Sequence, residues 1–189
     1  MARPRDSAKP AQIIDAAFAV FGDVGYEATV IKDIAERAGI STGTIYTYFN
    51  DKKDLFRATA QEGWSRFLAE IRAIVEARGS LNDRIQTFIE TGFATLKRSL
   101  PLLRGMLFES SQMNILQTSI EEFCALVEGL VAGRSNRPVR IADDAEKRQM
   151  LIRVTVVGVL FSAAMADPSR VDEELEALKH TILVMLSGG

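Results

Sequence analysis

Residues 29–49, TVIKDIAERAGISTGTIYTYF, read as two short helices joined by a tight turn. In the first, Ile31, Ile34, Ala35 and Ala38 recur at helical spacing and form one apolar stripe. Thr29 stands where an N-cap belongs, and Asp33 lies early enough to favour the positive end of the helix dipole. Gly39 is the expected stop, because glycine takes the left-handed conformation past a helix end without a Cβ clash. Ser41 then caps the second helix, and Gly39-Ile40 forms the turn. These are the parts of a helix-turn-helix.

The second helix has two different sides. At about 100° per residue, Ile45 and Phe49 fall about 40° apart and point inward together. Gly43, Thr44 and Thr47 then occupy the opposite side, with Tyr46 and Tyr48 on its flanks. Glycine and small hydroxyls bordered by phenols admit the close approach of a polar partner. In a helix-turn-helix that partner is DNA, with the N-terminal part of the second helix at base edges in the major groove. A polar helix face turned simply to water has the same composition.

Three runs cover this stretch and its flanks: IIDAAFAVFGDVGYEAT at 13–29, IKDIAERAGIS at 31–41 and TGTIYTYFNDKKDLF at 42–56. Together, from Ala11 to Phe56, they resemble the DNA-binding domain of the TetR/AcrR family of bacterial transcriptional regulators, over roughly the first third of the chain. The resemblance implies an all-α cytoplasmic homodimer, usually a repressor, bound to a near-palindromic double-stranded DNA operator and released by a small ligand. It also implies a phosphate-binding role for Lys52, which matches the family's lysine at the start of the fourth helix. One departure is visible: Val30 stands where members often carry a hydroxyl residue able to touch a phosphate, and Lys32 is the replacement at hand. The DNA-facing set expected here is Thr29, Lys32, Ser41, Thr42, Gly43, Thr44, Tyr46, Thr47, Tyr48 and Lys52.

The chain has 189 residues, enough for a small domain joined to a larger one. Residues 1–50 are expected to form the DNA-binding unit and residues 51–189 a helical ligand-binding and dimerisation domain. Hydrophobic residues make up 47% and charged residues 25%, the balance of a globular chain and not of a disordered one. The five prolines lie mostly near helix boundaries, and no run of β-branched residues alternates strictly, so an all-α fold is the economical reading. The net charge of -2 argues weakly against nucleic acid, and residues 1–60 carry eight basic and eight acidic side chains. Distribution therefore matters more than total. Arg3, Arg5 and Lys9 against Asp6 make a basic N-terminal arm able to reach phosphates or a minor groove, or else a tail of no consequence. MARPRDSAKP has no apolar core of a signal peptide. The apolar run from Val154 to Ala166 is too short to span a bilayer, so no membrane partner is expected.

The first helix is expected from about Ser7, its cap, to Phe21, with Gly22 and Gly25 ending it. Asn50 or Asp51 can cap a fourth helix that runs toward Ala77, its free amides offering a further phosphate site. Gly63 in its interior costs about 1 kcal/mol. Helical periodicity continues over 81–97, and Pro101 opens or kinks a separate segment containing Leu103, Met106 and Phe108. Further helices are expected over 114–130, 143–166 and 172–186, with the turn-rich loop GRSNRPV at 133–139, about nine helices in all.

In the family the sensing pocket lies within the fourth to seventh helices. Here that span holds Trp64, Phe67, Phe88, Phe93, Met106, Phe108, Met113 and Phe123, which suit a small apolar effector but also ordinary core. The helix from 143 is apolar on most sides, and Gly158, Ser162 and Ala166 form a small-residue row. Paired with the last helix it would build a four-helix bundle about a two-fold axis, through Val154, Gly158, Phe161, Ser162, Leu178, Ile182 and Met185, unless those side chains are buried within the chain. An enzyme is not expected. His180 and Cys124 are single, no glycine-rich phosphate cradle or histidine ligand cluster is present, and neither metal nor cofactor is implied. The pairs Asp143-Asp144 and Glu173-Glu174 lie at helix starts, where acids favour the dipole. Cys124 alone allows no internal disulfide and suits a reducing cytosol. A helical protein-interaction adaptor that does not bind DNA remains the rival.

Overall fold

The computed structural model describes residues 8–108, 113–132 and 145–187, apart from the side chains of 108, 113–116, 131–132 and 184–187. Within the described residues the chain is all-α, with eight helices and no strand. They are α1 (Lys9–Ala28), α2 (Ile31–Ala38), α3 (Thr42–Tyr48), α4 (Lys52–Glu76), α5 (Leu81–Phe108), α6 (Met113–Ala132), α7 (Ala145–Met165) and α8 (Val171–Ser187). The arm residues Arg3 and Arg5, the Ser7 cap, the 133–139 loop, the Asp143-Asp144 pair and the side chains of Phe108, Met113 and Met185 lie outside the description.

Eight helices replace the expected nine because α5 runs through Pro101. Proline removes one hydrogen bond of the ladder and crowds the preceding turn. Leu100, Leu102, Leu103 and Met106 are all buried around it, and that burial holds both flanks in the helix. α1 is longer than expected. Gly22 stays helical, and the break falls at Gly25, whose φ of 80° is open to glycine at little cost, before one more turn to Ala28.

The residues divide into two compact units, one within Met1–Ser65 and Pro101–Gln112, the other within Arg66–Leu100 and Met113–Gly189. The first is built on Ile13, Phe21, Ile34, Ile45, Leu55 and Phe56, all essentially inaccessible. Phe21, Tyr26 and Phe56 meet as an aromatic cluster, with centroids 5.1 Å apart for Phe21 and Phe56 and 4.8 Å for Tyr26 and Phe56. Gly105 of α5 reaches this cluster by having no side chain: a Cβ there would lie 2.8 Å from Phe56 Cζ and 3.2 Å from Tyr26 Cβ.

In the second unit, Ile85, Ile89 and Leu130 form a buried cluster covered by Val75, Leu81, Phe88, Phe93, Ile182 and Leu183. Glu128 of α6 ties to α7 through Arg148 at 3.4 Å and Gln149 Nε2 at 2.8 Å, and Arg153 reaches Glu121 at 3.9 Å. α7 is a longer helix than the apolar run within it. By length and composition alone its 21 residues are long and apolar enough to cross a membrane. Its composition comes largely from one bare side. Met150, Leu151, Val154, Val157, Phe161 and Met165 are exposed, while Ile152, Val156, Ala163 and Ala164 are buried.

Candidate nucleic-acid interface

Three helices present the site, and their ends are closed by local chemistry. α2 ends on Gly39 in the left-handed conformation, φ 65° and ψ 34°. The Gly39 and Ile40 amides donate to Glu36 O and Ala35 O at 3.1 and 3.0 Å, which satisfies two carbonyls that the helix cannot. α3 starts at the Ser41 cap, whose Oγ accepts from the Thr44 amide at 3.2 Å. Gln12 of α1 donates to Ala38 O at 2.8 Å and fixes the end of α2 against α1.

Ile45 and Phe49 are buried, as their spacing requires, and the rest of α3 is held out. Ser41, Thr42, Gly43, Tyr46 and Thr47 are exposed, whereas Thr44 and Tyr48 are half-buried. The covered side therefore extends toward Thr44 and Tyr48, and the two tyrosines are not equivalent flanks: Tyr46 is 54% exposed. Thr44 Oγ1 lies 2.9 Å from Ser41 Oγ, and Thr47 Oγ1 donates to Gly43 O at 3.0 Å. Gly43 is open: a Cβ there would meet only Ser41 Oγ, at 3.8 Å. Lys32 is exposed at the start of α2 and pairs loosely with Glu36 at 3.7 Å.

Two residues of the expected DNA-facing set have partners within the chain. Thr29 is 1% exposed and donates its hydroxyl to Gly25 O at 2.6 Å, so it neither caps α2 nor reaches the surface; the N-cap position is Val30. It satisfies the backbone at the Gly25 break instead. Lys52 Nζ donates to Tyr26 O at 2.9 Å, Thr29 O at 3.0 Å and Glu27 O at 3.3 Å, where a phosphate contact was expected. The start of α4 is likewise occupied. Asp51 Oδ1 accepts from the Asp54 amide at 2.7 Å, and Asp54 Oδ2 accepts from the Asn50 amide at 3.1 Å and from Asn50 Nδ2 at 3.0 Å. Asp51 thus takes one of the amides that open α4, and the Asp54 carboxylate turns back to Asn50. The Asn50 backbone bond, with Arg57 2.7 Å away, holds the Asp54 carboxyl below its usual range against a smaller opposing effect of burial.

The residues expected to line a ligand pocket fall in both units. Phe67, Phe88 and Phe123 come together: Phe123 lies 5.3 Å from Phe67 and 5.7 Å from Phe88, and all three rings are half-buried. Phe93 packs nearby on the Ile85–Ile89–Leu130 cluster. Trp64 and Met106 belong to the other unit. On the expected dimer face, Val154, Gly158, Phe161 and Ser162 are exposed, but Ala166 is buried, so the small-residue row stops after Ser162. Leu178 is half-buried, and Ile182 packs inside the second unit. Met150, Val157 and Met165 belong to the bare face and were missed, although their helical spacing from Val154 and Phe161 was available. Burial pushes the Cys124 thiol up, which disfavours the reactive thiolate.

Residues 13–59 match the family model for bacterial regulatory proteins of the tetR family. The chain is 25% identical to the fatty acid metabolism regulator protein of Bacillus subtilis (strain 168) over 184 residues, 94% of this chain and 93% of that one. Its fold is similar to the fatty acid degradation regulator FadR from Bacillus halodurans, with a TM-score of 0.69, 24% identity, and coverage of 95% and 98%. It is also similar to the transcriptional regulator FadR from Bacillus subtilis solved in complex with stearoyl-CoA, with a TM-score of 0.67, 21% identity, and coverage of 95% and 98%.

Proposed function

We propose that this chain, a transcriptional regulator belonging to the tetR family of bacterial regulatory proteins, acts as a homodimeric repressor that leaves its operator when it binds a long-chain fatty acyl thioester. The observation that carries the DNA half is the α3 surface. Thr42, Gly43, Tyr46 and Thr47 stand exposed on a helix fixed from behind by Ile45 and Phe49. In this reading Thr42, Gly43 and Thr44 approach base edges, while Tyr46, Tyr48 and Lys32 meet phosphates and set the register.

Dimerisation is supported by the bare apolar face of α7, from Met150 to Met165. Apolar surface of this extent on a single helix is what a second copy covers. A two-fold dimer presents two α3 helices about one DNA turn or somewhat more apart, hence a near-palindromic site. The effector class is supported by the fatty acid regulator among the relatives and by the stearoyl-CoA held by a structural neighbour. The half-buried rings of Phe67, Phe88 and Phe123 give an acyl chain an apolar surface of suitable character.

The test is a titration of the DNA upstream of the chain's own gene, with and without stearoyl-CoA. Sequence-selective binding that weakens about 5- to 150-fold with ligand is expected, and operator DNA must weaken stearoyl-CoA by the same factor. Selective binding with no such linkage removes the acyl thioester and keeps the regulator. Absence of sequence selection returns the chain to the adaptor reading.

A further inference from the structure

Lys52 opens α4, and its ammonium carries three N–H donors and no acceptor. Its nitrogen lies within 3.3 Å of three backbone oxygens, those of Tyr26, Glu27 and Thr29. The last carbonyls of a helix lack intrahelical partners and carry the negative end of its dipole, so a cation there is favoured twice. The same nitrogen lies 4.5 Å from the centroid of the Tyr26 ring. That ring is itself anchored against Phe56 and Phe21. Asp51 and Asp54, the nearest carboxylates in sequence, are engaged with the Asp54 amide, Asn50 and Arg57. Three carbonyls and a ring therefore exhaust the binding capacity of this ammonium.

We propose that Lys52 is a positioning residue: it fastens the first turn of α4 to the closing turn of α1, and it governs DNA affinity through that placement, without touching a phosphate. The proposal rests on the DNA-binding reading above. Its consequence is that the geometry of the ammonium matters, beyond its charge. The planar fork of an arginine carries the same charge but cannot converge on three carbonyls around one point. A phosphate contact, by contrast, tolerates arginine well.

The experiment compares wild type, Lys52→Arg and Lys52→Met on the upstream duplex across a range of salt concentrations. Both variants are expected to bind at least about tenfold more weakly, the scale of one lost charge-assisted hydrogen bond. The slope of log affinity against log salt should stay at the wild-type value. An arginine variant at wild-type affinity, or a methionine variant whose slope falls by about 0.9 per protomer, is the signature of a phosphate contact and overturns the proposal.

A second readout needs no variant. In the free protein, the side-chain ammonium signal of Lys52 in a proton–nitrogen spectrum should persist near neutral pH, sheltered from exchange by its three carbonyls. It should stay in place when the duplex is added. A signal lost to exchange, or displaced by DNA, rejects the clamp, and this holds even where Lys52→Met does not fold. Wild type that shows no sequence selection overturns the DNA-binding reading itself, whereas a missing ammonium signal in a selective wild type overturns only the clamp.

Discussion

Gly63 lies beneath the ring of Phe18, so close that a Cβ in its place would stand 2.6 Å from Phe18 Cε2 and 3.2 Å from Cδ2. A mid-helix glycine costs about 1 kcal/mol against alanine, and here ring contact between α1 and α4 offsets that cost. Gly63→Ala should therefore destabilise the protein by up to about 2 kcal/mol, the cost of overpacking against the half-buried ring less the gain in helix propensity. Urea unfolding measures it. A variant as stable as wild type would mean that the Phe18 ring moves aside freely.

Gly43 makes the opposite case. Its Cβ position is open to within ordinary contact of Ser41 Oγ at 3.8 Å, so nothing in the fold needs glycine there. Gly43→Ala should raise stability by up to about 1 kcal/mol through helix propensity alone. The added methyl projects from the exposed α3 surface, so operator affinity should fall. A variant that is more stable and binds DNA equally well would show that no partner approaches closely at this residue.

Asp54 ties stability to acid. Its carboxyl is held low chiefly by the Asn50 amide and then by Arg57, so its folded pKa lies below the unfolded value of about 3.9. A depressed folded value contributes stability that is fully present above the unfolded pKa and is lost as pH falls through the folded one. Asp54→Asn should cost about 1 kcal/mol at neutral pH, as for a lost helix cap. The gap between variant and wild type should narrow as the pH is taken below about 4. A gap of constant size down to acid pH would mean that shape, and not charge, supplies the contribution.

The bare face of α7 can be tested without touching the fold of the protomer. Phe161 is 57% exposed, and a side chain at Gly158 meets nothing within 4 Å in the protomer. Phe161→Glu and Gly158→Leu should leave the helical spectrum intact and shift sedimentation from dimer toward monomer at micromolar concentration. Wild type that sediments as a monomer under those conditions removes the dimer and, with it, the palindromic operator.

Much of the DNA-facing unit was legible in order along the chain. Ile31, Ile34, Ala35 and Ala38 are buried as their spacing required, Gly39 is left-handed, and Ser41 caps α3. Each of these can be read within a few residues, from periodicity or from the unpaired groups at a helix end. The identity of the inward pair, Ile45 and Phe49, belongs to the same class.

What only the tertiary structure decided is which group meets which across the chain. Lys52 finds carbonyls 23 to 26 residues away, Phe18 covers Gly63, and Gly105 of α5 comes down on Tyr26 and Phe56. Thr29 and Lys52 have the composition of DNA contacts, yet Thr29 is buried and Lys52 bonds to backbone carbonyls near the end of α1. Residue type and local spacing specify what a side chain can donate or bury and toward which side of its helix. The partner is selected when helices distant in sequence pack, because a hydrogen bond or a ring contact exists only where two surfaces come within a few ångströms.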